Sequence, residues 1–125
     1  MLFRSYYEAN PELVVWWGTS VECASALARL ERDGALETRD ITQVLRQLQG
    51  LQSAWNEVQP LDNVRAAAQR LLRLHTLRAA DALQLGAAVL AADHRPQAWE
   101  FVCLEPRLAA AAKRERFGKQ LKPFE

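Results

Sequence analysis

Nowhere in this chain do apolar residues run on for the roughly 18 positions that a membrane-spanning helix needs, so no membrane partner is expected. No secretory signal pattern is recognisable either. Charge of one sign is missing too: 16 Lys and Arg stand against 15 Asp and Glu, a formal net charge of +1. That excludes a globally basic surface for nucleic acid, and any such site has to be local. Cysteine is scarce. Cys23 and Cys103 lie far apart with no ligand spacing, which points to buried thiols in a reducing cytoplasm rather than to a disulfide framework. Internal repeats, low-complexity tracts and linker-like segments are absent as well, so residues 1–125 read as one domain. The remainder is ordinary globular material. Half of the 125 residues are hydrophobic and a quarter are charged, too apolar for disorder and enough for one core.

Four segments read as strands. Leu13-Val14-Val15-Trp16-Trp17 is a continuous apolar run closed by Gly18, and Glu100-Phe101-Val102-Cys103-Leu104 is a second, ended by Pro106. Weaker candidates are residues 57–61 and 120–124. Continuous apolar runs suit strands covered on both faces, as in parallel sheets. Between them the period turns helical. Helices are predicted over residues 20–33, stopped by Asp33-Gly34, from about Thr38 to Trp55, and from Asp62, a good N-cap, through Leu72. Two more are predicted over Leu77 to Ala92 and from Pro106 to about Phe117. Strands alternating with helices predict an α/β fold, with a mainly parallel sheet and helices on both faces.

Asp81 is the most informative residue. Between Ala79 and Ala92 it is the only charge, in a helix apolar enough to be buried. An ionised carboxylate there needs a cation, a metal or a salt bridge, and Arg78, three residues earlier, is the bland partner. Glu22 comes after the best strand, at the carboxyl end where parallel sheets place their ligands. Thr19-Ser20-Val21-Glu22 is also a capping-box pattern, which needs no ligand at all. Glu105 holds the equivalent place after the second strong strand, where the positive end of a helix dipole is its bland explanation. Two strand ends and one buried helix would together bring three carboxylates to one sheet edge and into one cavity. Such clusters hold magnesium or manganese and serve phosphodiester cleavage.

Three segments carry a resemblance: Thr19 to Leu27, Leu77 to Leu85 with its Arg78-Ala79-Ala80-Asp81 core, and Phe101 to Ala112. In their order and spacing the chain resembles the PIN-domain ribonucleases, and within them the VapC-type toxins. The resemblance implies a three-layer α/β/α PIN-like domain and a metal-dependent endoribonuclease of toxin–antitoxin type, using Mg2+ or Mn2+. It implies Glu22, Asp81 and Glu105 as the catalytic and metal-site acids, although Glu105 stands where the family usually has aspartate. RNA substrate, a cognate antitoxin and a homodimer are the implied partners. There is one departure. The family opens with a central strand ending in an aspartate, whereas Met1-Leu2-Phe3-Arg4 resembles the segment that succeeds that motif, and no residue before Glu8 is acidic. The expectation is therefore an N-terminally shortened domain lacking its first acid and central strand. It should bind the ion weakly, cleave poorly and self-associate through the exposed sheet edges. The rival expectation is a catalytically inactive PIN-like module that binds protein.

Other features read as structure. His75 and His94 have no ligand-spaced partners. Trp16 or Trp17, and Trp55, take core positions. Lys113-Arg114-Glu115-Arg116, with Lys119 and Lys122, reads as cations at the negative end of a helix, with RNA phosphate contact as the alternative.

Overall fold

The computed structural model describes residues 2–5, 13–93, 95–103, 105–118 and 120–121. In chain order these form β1 (Leu2–Ser5), β2 (Val14–Trp16), α1 (Thr19–Arg32), α2 (Thr38–Ala54) and β3 (Asn56–Val58), succeeded by α3 (Asp62–Leu74) and α4 (Ala79–Ala92). A 3-10 turn (Pro96–Ala98), β4 (Trp99–Val102), α5 (Pro106–Arg114) and β5 (Gln120–Leu121) complete the order. Strands overlap all four predicted segments; Leu104 and residues 122–124 of those predictions lie outside the described residues. No helix among the described residues is long and apolar enough to cross a membrane.

The five strands make one sheet in the order β3-β2-β1-β4-β5. Two expectations are corrected here. The sheet is mixed rather than mainly parallel: β2–β3 and β4–β5 are parallel, while β1 is antiparallel to both β2 and β4. The central place is filled, by Leu2–Ser5 themselves, registered Leu2 to Val102 and Ser5 to Trp99. The physical reason is backbone accounting. Two strands flanking a gap leave two rows of amide and carbonyl groups, and a third segment laid between them satisfies both. Because β2 and β4 both oppose β1, they run in the same direction without pairing with each other. Their carboxyl ends, Trp16 and Val102, therefore lie at the same edge of the sheet, on either side of β1.

The α-helices track their sequence signals closely. At the end of α1, Gly34 takes φ +76°, a left-handed conformation that costs glycine nothing. The amides of Gly34 and Ala35 reach back to the carbonyls of Glu31 and Leu30 at 3.1 and 2.9 Å, closing the helix as a Schellman motif. Asp62 is the first residue of α3 rather than its cap, and Leu61 holds the cap position. Helix α5 ends at Arg114, short of the predicted Phe117.

Phe3 is registered with both Val14 and Phe101, so those two residues share a sheet face. That face meets Leu71 of α3, Leu85, Ala88 and Ala92 of α4, and Leu108, Ala111 and Ala112 of α5 in one core. Trp16 packs beside it with Val64 and Ala87. Val15, on the opposite face, is fully buried as well, so the middle of β2 is covered on both sides. Helix α4 is buried from Gln84 through Ala88, as its composition predicts. It approaches α3 closely because Gly86 has no side chain: a Cβ there would stand 3.1 Å from the amide nitrogen of Ala68 and 3.3 Å from the carbonyl oxygen of Val64.

Candidate functional site

The sheet edge marked by Trp16 and Val102 is where the sequence-predicted acids are to be sought. Directly after β2, the Trp17-Gly18 turn launches α1, and the Glu22 amide closes its first turn on the Gly18 carbonyl at 3.1 Å. Gly18 is required by a close approach. A Cβ at that position would lie 2.7 Å from the Trp16 indole nitrogen. With Gly18 at the cap position, Thr19 is already helical and no side chain caps α1. The capping box open to Glu22 in the sequence is therefore not made. Thr19 is instead 1% exposed, and its hydroxyl has no partner among the described residues.

The Glu22 carboxylate turns to α4, where Oε2 accepts a hydrogen bond from the Gln84 amide. Burial pushes the Glu22 carboxyl above its usual range, and the charge of Asp81 adds to the rise. Asp81 sits in the first turn of α4, where the helix dipole favours a negative charge. Its side chain is 13% exposed and lies 3.7 Å from the Arg78 guanidinium, whose own side chain is 79% exposed. That contact is long and open to water, a weak offset for a carboxylate so nearly buried. The bland salt bridge thus exists, but only as a long contact with a largely exposed partner. Residues three apart share a helix face, so Asp81 and Gln84 look toward α1 together. Glu22, Asp81, Gln84, Ser25, Arg29 and Arg78 line one cavity of about 330 Å³.

Glu105 is placed differently. It holds the cap position of α5, and its Oε2 accepts the Leu108 amide at 2.7 Å. The bland reading of this acid is realised, as a side-chain cap beyond the dipole alone, and Glu105 does not line the cavity of Glu22 and Asp81. It is nonetheless at the same edge. Burial raises the pKa of the neighbouring Cys103 thiol, and the charges of both Glu105 and Asp81 add to that rise. The structure thus brings two of the three acids into one cavity and sets the third nearby as a helix cap. Among the described residues, no group of three or more His, Cys, Asp and Glu is arranged to hold a metal ion.

Two features are not reached from the sequence. Gln84 is the first. A signal for it exists, since Asp81 and Gln84 are the only polar side chains between Ala79 and Ala92 and stand three apart. The second is a cluster away from this edge, with Glu115 bonded to His75 at 2.8 Å and to Arg70 at 2.9 Å. In the sequence Glu115 is only one member of a basic run. Lys113 and Arg114 do lie in the last turn of α5, and His94, Lys119 and Lys122 lie outside the described residues.

No family model matches this chain, and neither the curated proteins nor the solved structures contain a match to it.

Proposed function

We propose that this chain is a PIN-like domain of three-layer type whose Glu22–Asp81 cavity serves metal-dependent cleavage of RNA, as a VapC-type toxin held by a cognate antitoxin. The observation that supports this reading most is the convergence of Glu22 and Asp81, from separate helices, on one solvent-reaching cavity. Neither acid's bland explanation accounts for it. Glu22 makes no capping box, and among the described residues Asp81 has only a long, exposed contact with Arg78.

The donor set suits magnesium or manganese. A hard divalent ion takes oxygen ligands, and magnesium is commonly held by one or two carboxylates, with waters and substrate phosphate completing its shell. When bound, such an ion supplies Lewis acidity toward a phosphodiester. Glu22 and Asp81 would hold it. Glu105 is the proposed third acid, standing at the start of α5 with one oxygen already engaged by Leu108. Arg29 and Arg78, on the cavity wall, offer guanidinium groups to phosphate oxygens. The same reading carries a cytoplasmic location and a homodimer. The dimer is supported by apolar side chains that α1 and α2 leave exposed, Val21, Leu30, Leu45 and Leu51.

A second reading, a non-catalytic protein-binding module, is favoured by one specific observation: Glu105 is spent on its helix, leaving two acids in the cavity among the described residues. The deciding experiment is an RNA cleavage assay with magnesium or manganese, chelator as control. The proposed activity is chelator-sensitive and falls by roughly a hundredfold or more in Asp81→Asn, since even outer-shell losses at metal sites cost about 10–100-fold. Absence of chelator-sensitive cleavage, with a partner protein still bound, would leave the module.

A further inference from the structure

We propose that Gln84 is a positioning residue: its side-chain amide holds the Glu22 carboxylate over the cavity, facing Asp81, so that the two acids stay convergent. For its chemistry this rests on the metal-site reading above; for its geometry it rests on the hydrogen bond alone.

Gln84 is 6% exposed in a helix whose neighbouring buried residues are Ala82, Leu85, Gly86, Ala87 and Ala88. Burying an amide there is unfavourable unless its groups are bonded, and a leucine at this position would bury more apolar surface with no polar group to desolvate. Packing alone therefore gives no reason for an amide. The reason is found across the cavity, where the Nε2–H group donates to Glu22 Oε2. A donor aimed at a carboxylate makes a charge-assisted bond, stronger than a neutral one.

The bond matters because the cavity holds two like charges. Glutamate has three rotatable side-chain bonds, and Glu22 lies one turn into a helix open to solvent on its outer side. Left free, its carboxylate would rotate away from Asp81 into water, relieving both burial and repulsion. Gln84 opposes that rotation from a rigid place, since α4 is packed against α3 and the sheet. A site whose ligands are held before the ion arrives does not lose that ordering entropy on binding.

Two measurements test this on the whole chain. The first needs no ion. In 15N-labelled protein, the Gln84 side-chain NH2 signals should stand apart from those of free glutamine and move when Glu22 is changed to Gln. Signals that match free glutamine and ignore Glu22→Gln would overturn the proposal. The second compares Mn2+ binding, read by water-proton relaxation, in the native chain and in Gln84→Leu. Affinity should fall about tenfold, as for other groups that orient metal ligands, with the melting temperature unchanged or raised. A residue with only a structural role would give the reverse, a lowered melting temperature and unchanged Mn2+ affinity. Failure of the native chain to bind Mn2+ would sink the metal-site reading, and the NMR result would then decide the position of Glu22 by itself.

Discussion

A carboxylate kept in a cavity beside another carboxylate costs the fold something, and the sign of that cost is testable. Burial, then Asp81, raises the pKa of Glu22 above the ordinary 4.5. For an acid with a raised folded-state pKa, the penalty is present at pH above that value, is relieved as the pH falls from that value to 4.5, and is gone below 4.5. Glu22→Gln keeps an acceptor for Gln84 and removes the charge. It should therefore stabilise the ion-free protein at pH 7, by about 0.5 kcal/mol after allowance for solvent screening, and the gain should vanish near pH 3. Urea unfolding at the two pH values measures both. Glu115 has the opposite sign. Burial pulls its pKa up, but hydrogen bonds from His75 and Arg70 and their charges outweigh it and bring the value below 4.5. Its stabilisation is present above the ordinary value and is lost as the pH falls through 4.5 and on through the folded value. Glu115→Gln should cost about 2 kcal/mol at pH 7, the usual scale for bonds to a charged group. The deficit should shrink at pH 3. Asp81 is legible in the sequence because a single charge in an apolar helix has few explanations. Glu115 is not, because its partners lie 40 and 45 positions away and a one-dimensional reading sees only its basic neighbours.

At the scale of elements, the two glycines within helices separate what sequence can reveal from what packing decides. Gly50 of α2 and Gly86 of α4 look alike on a propensity scale, each less favourable than alanine by about 1 kcal/mol. Around Gly50 a Cβ would meet nothing within 4 Å. Gly50→Ala should therefore stabilise by about 1 kcal/mol. Around Gly86 the nearest atoms are backbone of α3, which cannot swing aside as a side chain does. Forcing the helices apart costs roughly 1–3 kcal/mol, so Gly86→Ala should destabilise by about 1 kcal/mol net of its propensity gain. Thermal melts of the two variants should move in opposite directions; a rise in both would mean that α3 and α4 are not in close contact. Helix boundaries are readable to within a few residues because caps and periodicity are local. The start of α1 is the instructive miss. Thr19, Ser20 and Glu22 satisfy a capping-box pattern, but the Trp16 indole lying against Gly18 moves the cap one residue earlier, and that contact is tertiary.

For the molecule as a whole, the alternation of strands and helices is readable and the sense of the strands is not. Apolar runs at Val14–Trp16 and Glu100–Val102 announce burial on both faces, and β2 is indeed buried throughout. Nothing in such a run says whether its neighbour is parallel, because the side-chain pattern is the same for both senses. Leu2–Ser5 gives too short a signal to predict a strand, yet it occupies the centre and sets β2 and β4 running the same way. That shared direction carries Glu22 and Glu105 to one edge, by a route other than the parallel sheet from which their meeting is expected. The arrangement has a global consequence under the proposed reading. Glu22 belongs to α1 and Asp81 to α4, and α1 has few other ties to the core, with Thr19 its only buried residue. An ion held by both acids would bind only the state in which those helices are docked. At a Mg2+ or Mn2+ concentration about ten times the dissociation constant, linkage stabilises the fold by about 1.4 kcal/mol, or roughly 5 °C in melting temperature for a chain of this size. The shift should be absent in Asp81→Asn and smaller in Gln84→Leu at the same ion concentration. Sodium at matched ionic strength controls for screening, which acts more strongly on surface pairs than on this cavity. A native chain whose melting temperature ignores magnesium and manganese across that range would argue that the Glu22–Asp81 pair holds no ion.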